Sequence, residues 1–224
     1  MAYVAIDARN LKGTTSVAAL LRDRGKDVQR AVNEAGRFGF KITAEKISNE
    51  VRFPAGYLTS QDRLRFRQAY APGDSAIISA RRRATSLAQF VKGHPGFGQR
   101  GGLAVQVLRR GGHAHMSKAF LMRTKSGGRG LGNVGVMMRE DAYAKLNKGR
   151  RSGIDAVHGN KRGYMETGAA FSSKYAWRAR GEKSGLRPLY SVSVDQAFDS
   201  FRRQISQETQ ADLDRRVSEI FSGA

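Results

Sequence analysis

Three groups of residues in this chain have types and spacings that chemistry uses. The first is Gly130-Leu131-Gly132-Asn133-Val134-Gly135, which matches the dinucleotide-binding fingerprint letter for letter. In a working fingerprint the glycines open a tight turn between a strand and a helix, and a pyrophosphate rests on the helix N-terminus. The flanks here disagree with that use. Lys125-Ser126-Gly127-Gly128-Arg129 reads as a turn and Val136-Met137-Met138-Arg139 as a strand, so a glycine-rich connection is expected instead of a nucleotide site. The second group is His113-Ala114-His115, whose spacing puts both imidazoles on one face of a strand and suits zinc once a third ligand arrives from elsewhere. His94 and His158 are distant in sequence and no HExxH helix exists, so the pair is expected to be a solvated turn beside Gly111-Gly112. Neither a cofactor nor a metal is expected.

The third group is cationic. Asp62-Arg63-Leu64-Arg65-Phe66-Arg67 and Arg81-Arg82-Arg83 are compact basic runs, and Lys174-Tyr175-Ala176-Trp177-Arg178-Ala179-Arg180 interleaves cations with aromatics. Phosphate contact and base stacking use such residues, and so does a plain solvated surface with buried aromatic stems. Readout of base sequence is not expected, because no helix-turn-helix, zinc finger or RNP motif is present. Catalysis is not expected either. There is no Gly-x-Ser-x-Gly elbow and no pair of acids in a coherent frame, and the chain has no cysteine, which excludes thiol chemistry and disulfides.

The whole chain shares this basic character. Lys and Arg number 40 against 19 Asp and Glu in 224 residues, a formal charge of +21 that favours an anionic neighbour. The excess is uneven: residues 100–194 carry 19 basic against 5 acidic residues, whereas 195–224 carry 4 against 6. With 40% apolar residues the chain can bury a core, and one domain with elaborations is expected over 1–224. Met1 to Ala19 holds Asp7, Arg9 and Lys12 and has no apolar h-region, and no window is apolar enough to span a bilayer, so neither export nor membrane insertion is expected. The lack of cysteine suits assembly in a reducing cytoplasm.

These residues must be positioned by elements that the periodicity predicts. Val28, Val32, Ala35, Ile42, Ile47 and Val51 recur at helical spacing, giving a helical region over 20–53 that Gly25 divides and Phe53-Pro54 ends. Gly36 and Gly39 inside it are expected to permit close packing. Residues 1–12 hold a short strand candidate, and a sheet region over 75–139 offers Ser75–Arg81, Ala84–Val91, Leu103–Arg109, Ala119–Met122 and Val134–Met138 as strands. Residues 140–187 show no sustained period and read as a long basic arm or insertion. Over 188–221 a final strand, Pro188 to Val194, runs into a helix that Asp195 is expected to cap, with Phe198, Phe201, Ile205, Leu213, Val217 and Ile220 on one face. That face either docks on the protein's own core or, through Phe198, Phe201 and Ile205, packs subunits together. The fold class expected is α+β, a mainly antiparallel sheet packed by N-terminal and C-terminal helices.

The order of these elements carries a resemblance. His115-Met116-Ser117-Lys118-Ala119-Phe120-Leu121-Met122 is followed by a glycine-rich turn, then Gly135-Val136-Met137-Met138-Arg139, then Leu186-Arg187-Pro188-Leu189-Tyr190-Ser191-Val192-Ser193-Val194 and its helix. This resembles the minor tail protein Z family of tailed bacteriophages, the tail-completion proteins of lambda-like phages, over residues 20–139 and 186–221. Two departures are Ser191-Val192-Ser193, where the family commonly has Gly-Pro-Ser, and the length of the 140–187 insertion. The resemblance implies a non-enzymatic virion protein of the tail or neck, made and assembled in the host cytoplasm. It implies a homo-oligomer, a hexameric ring around the DNA channel, between a tail terminator or tail tube protein and the head-completion or connector proteins.

In such a ring the expected contacts with DNA or a partner are Arg81, Arg82, Arg83, Lys125, Arg129, Arg150, Arg151, Lys174, Trp177, Arg178 and Arg180. A basic nucleic-acid-binding protein of the ribosome- or nucleoid-associated kind would explain the charge equally well.

Overall fold

Two long amphipathic helices and nine short strands account for the regular structure of the computed structural model, which describes residues 2–6, 17–93, 95–98, 101–123, 134–139, 141–142 and 185–222. The strands are β1 (Tyr3–Ile6), β2 (Leu64–Arg67), β3 (Ala76–Ala80), β4 (Thr85–Ser86), β5 (Leu103–Val105), β6 (Ala114–Met116), β7 (Ala119–Arg123), β8 (Val134–Arg139) and β9 (Leu186–Ser191). The helices are α1 (Val17–Glu50) and α2 (Val194–Ser222). Among the described residues every pairing between these strands is antiparallel, so the chain is α+β as expected, with its strands in three sheets ordered β1-β3-β2, β4-β9-β8-β7 and β5-β6. The span read as one domain divides into two compact units. One holds residues 1–49, 55–82 and 194–224, the other 50–54 and 83–193. The 140–187 arm lies outside the described residues, apart from short pieces at its two ends.

In the first unit α1 departs from helical geometry at Arg24 (φ −127°, ψ 27°), next to the glycine expected to divide it. Beyond that kink, Val28, Ala31, Val32, Ala35 and Ile47 are buried along one face. Gly36 and Gly39 let this face come close to its neighbours. A Cβ on Gly36 would lie 2.6 Å from the Phe66 ring, and one on Gly39 would lie 2.5 Å from Thr209 Oγ1 and 3.0 Å from Ile78 Cδ1. The two glycines therefore seat α1 on β2 and β3 and against α2 at once.

α2 answers with Val194, Ala197, Phe198, Ile205, Leu213 and Val217, all buried, and fills the gap in its apolar spacing with fully buried Thr209. Ion pairs from Glu34 to Arg216 and from Lys46 to Glu208 (3.0 Å) run in opposite chain directions, so the helices lie antiparallel. Asp195 is not the cap expected of it. Helix α2 already begins at Val194, and the Asp195 carboxylate, in the first turn, accepts the backbone N–H of Ala2 and ties β1 to the helix start.

β1, β3 and β2 alternate. Val4, Ile6, Leu64, Ala76, Ile78 and Ala80 are buried, whereas Tyr3, Ala5, Arg65 and Arg67 are exposed. In the second unit β8 buries three residues in succession, Val136, Met137 and Met138, as suits a strand flanked by β7 and β9. Pro188 is tolerated in β9 because its neighbour β4 pairs only with Tyr190 and Ser191, so the strand is an edge at the proline. The strand expected at Ala84–Val91 is only Thr85–Ser86. Ser86 Oγ then accepts the Ala88 N–H and opens a 3₁₀ turn over Leu87–Phe90 that buries Leu87 and Phe90. Leu103–Arg109 shortens to β5, which turns tightly at its start. Gly102 has φ +83°, and a Cβ there would lie 2.5 Å from the Met116 carbonyl oxygen.

Two predictions follow from the helix pair. Thr209 Oγ1 is buried with no hydrogen-bond partner among the described residues, so Thr209→Ala should change stability by no more than about 1 kcal/mol. Gly39→Ala should destabilise by about 1–3 kcal/mol through overpacking, despite alanine's higher helix propensity. The double variant should recover most of that loss in thermal unfolding. Additive losses would show that Thr209 is not the obstacle.

The second concerns Asp212. Burial alone would raise its pKa, but hydrogen bonds from Arg216 and Arg215, with their charges, outweigh this and hold the carboxyl below its ordinary value of 3.8. A carboxyl whose pKa falls on folding contributes stability that is full above the ordinary value and lost as pH drops through the folded one. Asp212→Asn should cost about 1–3 kcal/mol at pH 7. In pH-dependent denaturant unfolding, the gap from the parent should close below pH 3.8; a constant gap would remove the charge from the account.

Candidate nucleic-acid interface

A run of alternating residues in β2, Leu64-Arg65-Phe66-Arg67, decides which side chains leave the first unit. The period of two sends Leu64 and Phe66 toward the helices, where Phe66 meets Phe40 with ring centroids 6.4 Å apart, and sends Arg65 and Arg67 to the other side. The register places Arg65 opposite Ser79, and Ser79 opposite Tyr3; Arg67 lies opposite Ile77, and Ile77 opposite Ala5. The ladder continues one step further, since the Arg81 N–H donates to the Arg63 carbonyl at 2.8 Å. Arg65, Arg67 and Arg81 thus lie on the sheet face turned away from the helices, Arg63 sits half-buried in the turn before β2 with helical backbone angles (φ −69°, ψ −39°), and the exposed ring of Tyr3 (53% accessible) stands at the far strand.

Arg63 and Arg81 are held by neutral groups. Arg63 lies 3.9 Å from the centroid of the Tyr57 ring and donates to the carbonyls of Tyr57 and Ser60 and, at 2.8 Å, to Gln61 Oε1. Arg81 donates to the Gln61 carbonyl at 3.3 Å. Gln61 and Asp62 occupy successive left-handed conformations, φ 55° and 52°, unusual for residues other than glycine. That turn is what aims the two acceptors of Gln61 at Arg63 and Arg81. Among the described residues none of the four arginines forms an ion pair with a carboxylate, and two of them, Arg63 and Arg81, are held by neutral acceptors.

The residues singled out from sequence fall as follows. Arg81, Arg82 and Arg83 are exposed after β3, with Arg81 and Arg82 in the first unit and Arg83 in the second. The Arg83 charge acts on Tyr190 of β9, whose hydroxyl pKa burial raises above its ordinary value while Arg83 works to lower it. Lys125, Arg129, Arg150, Arg151, Lys174, Trp177, Arg178 and Arg180 lie outside the described residues. Phe198 and Ile205 are fully buried in the chain's own core, which removes them as a surface for packing subunits; Phe201 is half-buried. The alternative in which the α2 stripe docks on its own unit holds for these two.

His113 and His115 are both exposed, the second in β6, and among the described residues no group of three or more His, Cys, Asp or Glu could hold a metal ion. Gly135, the last glycine of the dinucleotide-like pattern, lies inside β8 opposite Met122, so a strand stands where that pattern needs a helix. Among the described residues no helix is long and apolar enough to cross a membrane. The strands β2 and β6 are absent from the sequence expectation, which took Ala114 and His115 for a solvated turn where β6 pairs with β5. The basic residues of β2 stood out as a charge run, and the alternation that marks a strand was present in the same four letters.

Comparisons with protein-family models, with curated proteins and with solved structures find no match to this chain.

Proposed function

We propose that this chain is a structural protein of a phage tail or neck, one that completes the head-proximal end of the tail as a ring and joins it to the head connector around DNA. The observation that carries the proposal is how charge is apportioned. On the helices, acids meet bases within the chain: Glu34 with Arg216, Glu208 with Lys46, Asp212 with Arg215 and Arg216, and Glu219 with Arg215. On the β1-β3-β2 sheet, Arg65 and Arg67 pair with no carboxylate among the described residues, and the chain as a whole keeps +21. A protein of this kind needs an anionic neighbour more than it needs a substrate. Phosphate contacts without base readout are what the wall of a DNA passage would make.

The resemblance to the tail-completion family supports the same reading. Its quoted segments, Ala119-Phe120 and Pro188 to Val194, fall on β7 and on β9 with the start of α2, and β8 joins the two strands in one sheet. Ring formation would then draw on surfaces other than Phe198 and Ile205.

The experiment is a mass measurement on the purified protein in solution, alone and with tails or particles from the same source. A closed ring is expected, either alone or once those particles are added. A monomer that ignores the particles and binds free nucleic acid with steep salt dependence would sink the tail reading and favour a basic nucleic-acid-binding protein of the ribosome- or nucleoid-associated kind.

A further inference from the structure

We infer that the outward face of the β1-β3-β2 sheet is a binding surface for the phosphate backbone of double-stranded DNA, with Arg65, Arg67 and Arg81 as its contact residues. The inference deepens the tail reading by naming the face that meets DNA, and it stands or falls by a separate measurement.

A three-stranded antiparallel sheet commonly packs one face on a core and leaves the other wet, and a wet face is ordinarily decorated with mixed polar residues of both signs. Here the outward positions are Tyr3, Ala5, Ile77, Ser79, Arg65 and Arg67, with Arg81 in the next row. Every charged group among them is an arginine. Successive outward residues on one strand stand about 6.8 Å apart. Arg65 and Arg67 therefore stand side by side on β2, and exposed Arg81 follows the end of β3.

Placing like charges together on a sheet is unfavourable by itself, because cross-strand and same-face cations repel. The molecule adds a further cost at the turn, where Gln61 and Asp62 both take left-handed backbone conformations. What that turn achieves is orientation: the Gln61 carbonyl and side-chain oxygen hold Arg81 and Arg63, and the Tyr57 ring lies beside the Arg63 guanidinium. Neutral acceptors hold Arg63 and Arg81, and no carboxylate among the described residues pairs with Arg65, Arg67 or Arg81, which leaves their charge for an outside partner, as an anion site requires. Arginine rather than lysine also suits phosphate, since its planar fork donates two parallel hydrogen bonds. A polyanion of regular charge density is the occupant this face fits. Beside the arginines the face carries Ser79 and Ile77 on β3 and Ala5 on β1, which supply no side-chain fork to read a base edge, so contact is with the backbone and indifferent to sequence.

The test measures binding of the full-length protein to a fluorescent 30-base-pair duplex of arbitrary sequence across a salt series. Arg65→Gln with Arg67→Gln should weaken binding about tenfold or more near 0.1 M salt and reduce the slope of log K against log salt by about 2, one for each lost phosphate contact. Lys41→Gln with Arg203→Gln removes the same charge from exposed positions on α1 and α2 and should leave the slope within about 0.5 of the parent. Arg65→Lys with Arg67→Lys should restore most of the slope.

Equal losses in the sheet variant and the helix variant would overturn the assignment, since net charge alone would then account for binding. A parent protein that does not bind the duplex would overturn it too, while leaving ring formation, read by mass, untouched. Poly-glutamate of matched length serves as the competing probe. A sheet variant that loses poly-glutamate binding as strongly as DNA binding would assign the face to acidic chains in general and reject the DNA assignment. Unchanged thermal unfolding of the sheet variant, expected for exposed positions, ties any loss to the surface and not to the fold.

Discussion

The contact on which the first unit depends is the one made by two glycines of α1. At Gly36 and Gly39 the helix backbone comes so close to Phe66, Ala76, Ile78 and Thr209 that no other residue type leaves room. A helix ordinarily packs 8–10 Å from its neighbour because side chains intervene. Removing the side chain at two positions one turn apart lets a single helix meet a sheet and a second helix together. Each glycine costs about 1 kcal/mol of helix propensity, so the close packing has to return at least that. The flanking pairs, Glu34 with Arg216 and Lys46 with Glu208, fix the sliding of one helix along the other, while the glycines fix their separation.

That packing determines what is left outside. With both helices on one side of β1-β3-β2, burial is satisfied on that side by Val4, Ile6, Leu64 and Ile78, and on the opposite side Tyr3, Ala5, Arg65 and Arg67 are exposed. The positions facing out are then free to be chosen for something other than stability. Their composition, arginine with one exposed tyrosine and small residues between, departs from what solvation alone would select. The second unit shows a different economy. Its central strand β8 buries Val136, Met137 and Met138 without alternation.

How much of this was legible in the letters depends on which physical signal each element carries. α1 and α2 were legible, including the division near Gly25 and the close-packing glycines, because long helices declare themselves by period and by the few residues that break it. β3, β7 and β8 were legible as apolar runs between turns. β2 was not, because Asp62 to Arg67 carries four charges in six residues and the eye reads charge before alternation. The 3₁₀ turn at Leu87–Phe90 was hidden for another reason. Its β-friendly letters lose to a local capping hydrogen bond from the Ala88 N–H to Ser86 that no periodicity reports. Thr209 broke the apolar spacing of α2 and was passed over, although it sits where the partner helix has no side chain to offer.

The candidate site was legible only as composition. A net charge of +21 points to an anionic neighbour but not to a face, since charge is a sum and a face is an arrangement. Converting one into the other required the strand register, which sets Arg63 against Arg81 and Arg65 against Ser79, and the left-handed turn that supplies Gln61 as the acceptor for two of the arginines. The same conversion shows why Arg81, Arg82 and Arg83 should not be treated as one motif. By the ladder Arg81 extends the outward row of β3, whereas Arg83 belongs to the second unit and acts on Tyr190. Three identical adjacent letters thus serve different surroundings, because a strand turns successive side chains to opposite faces and ends where its partner ends.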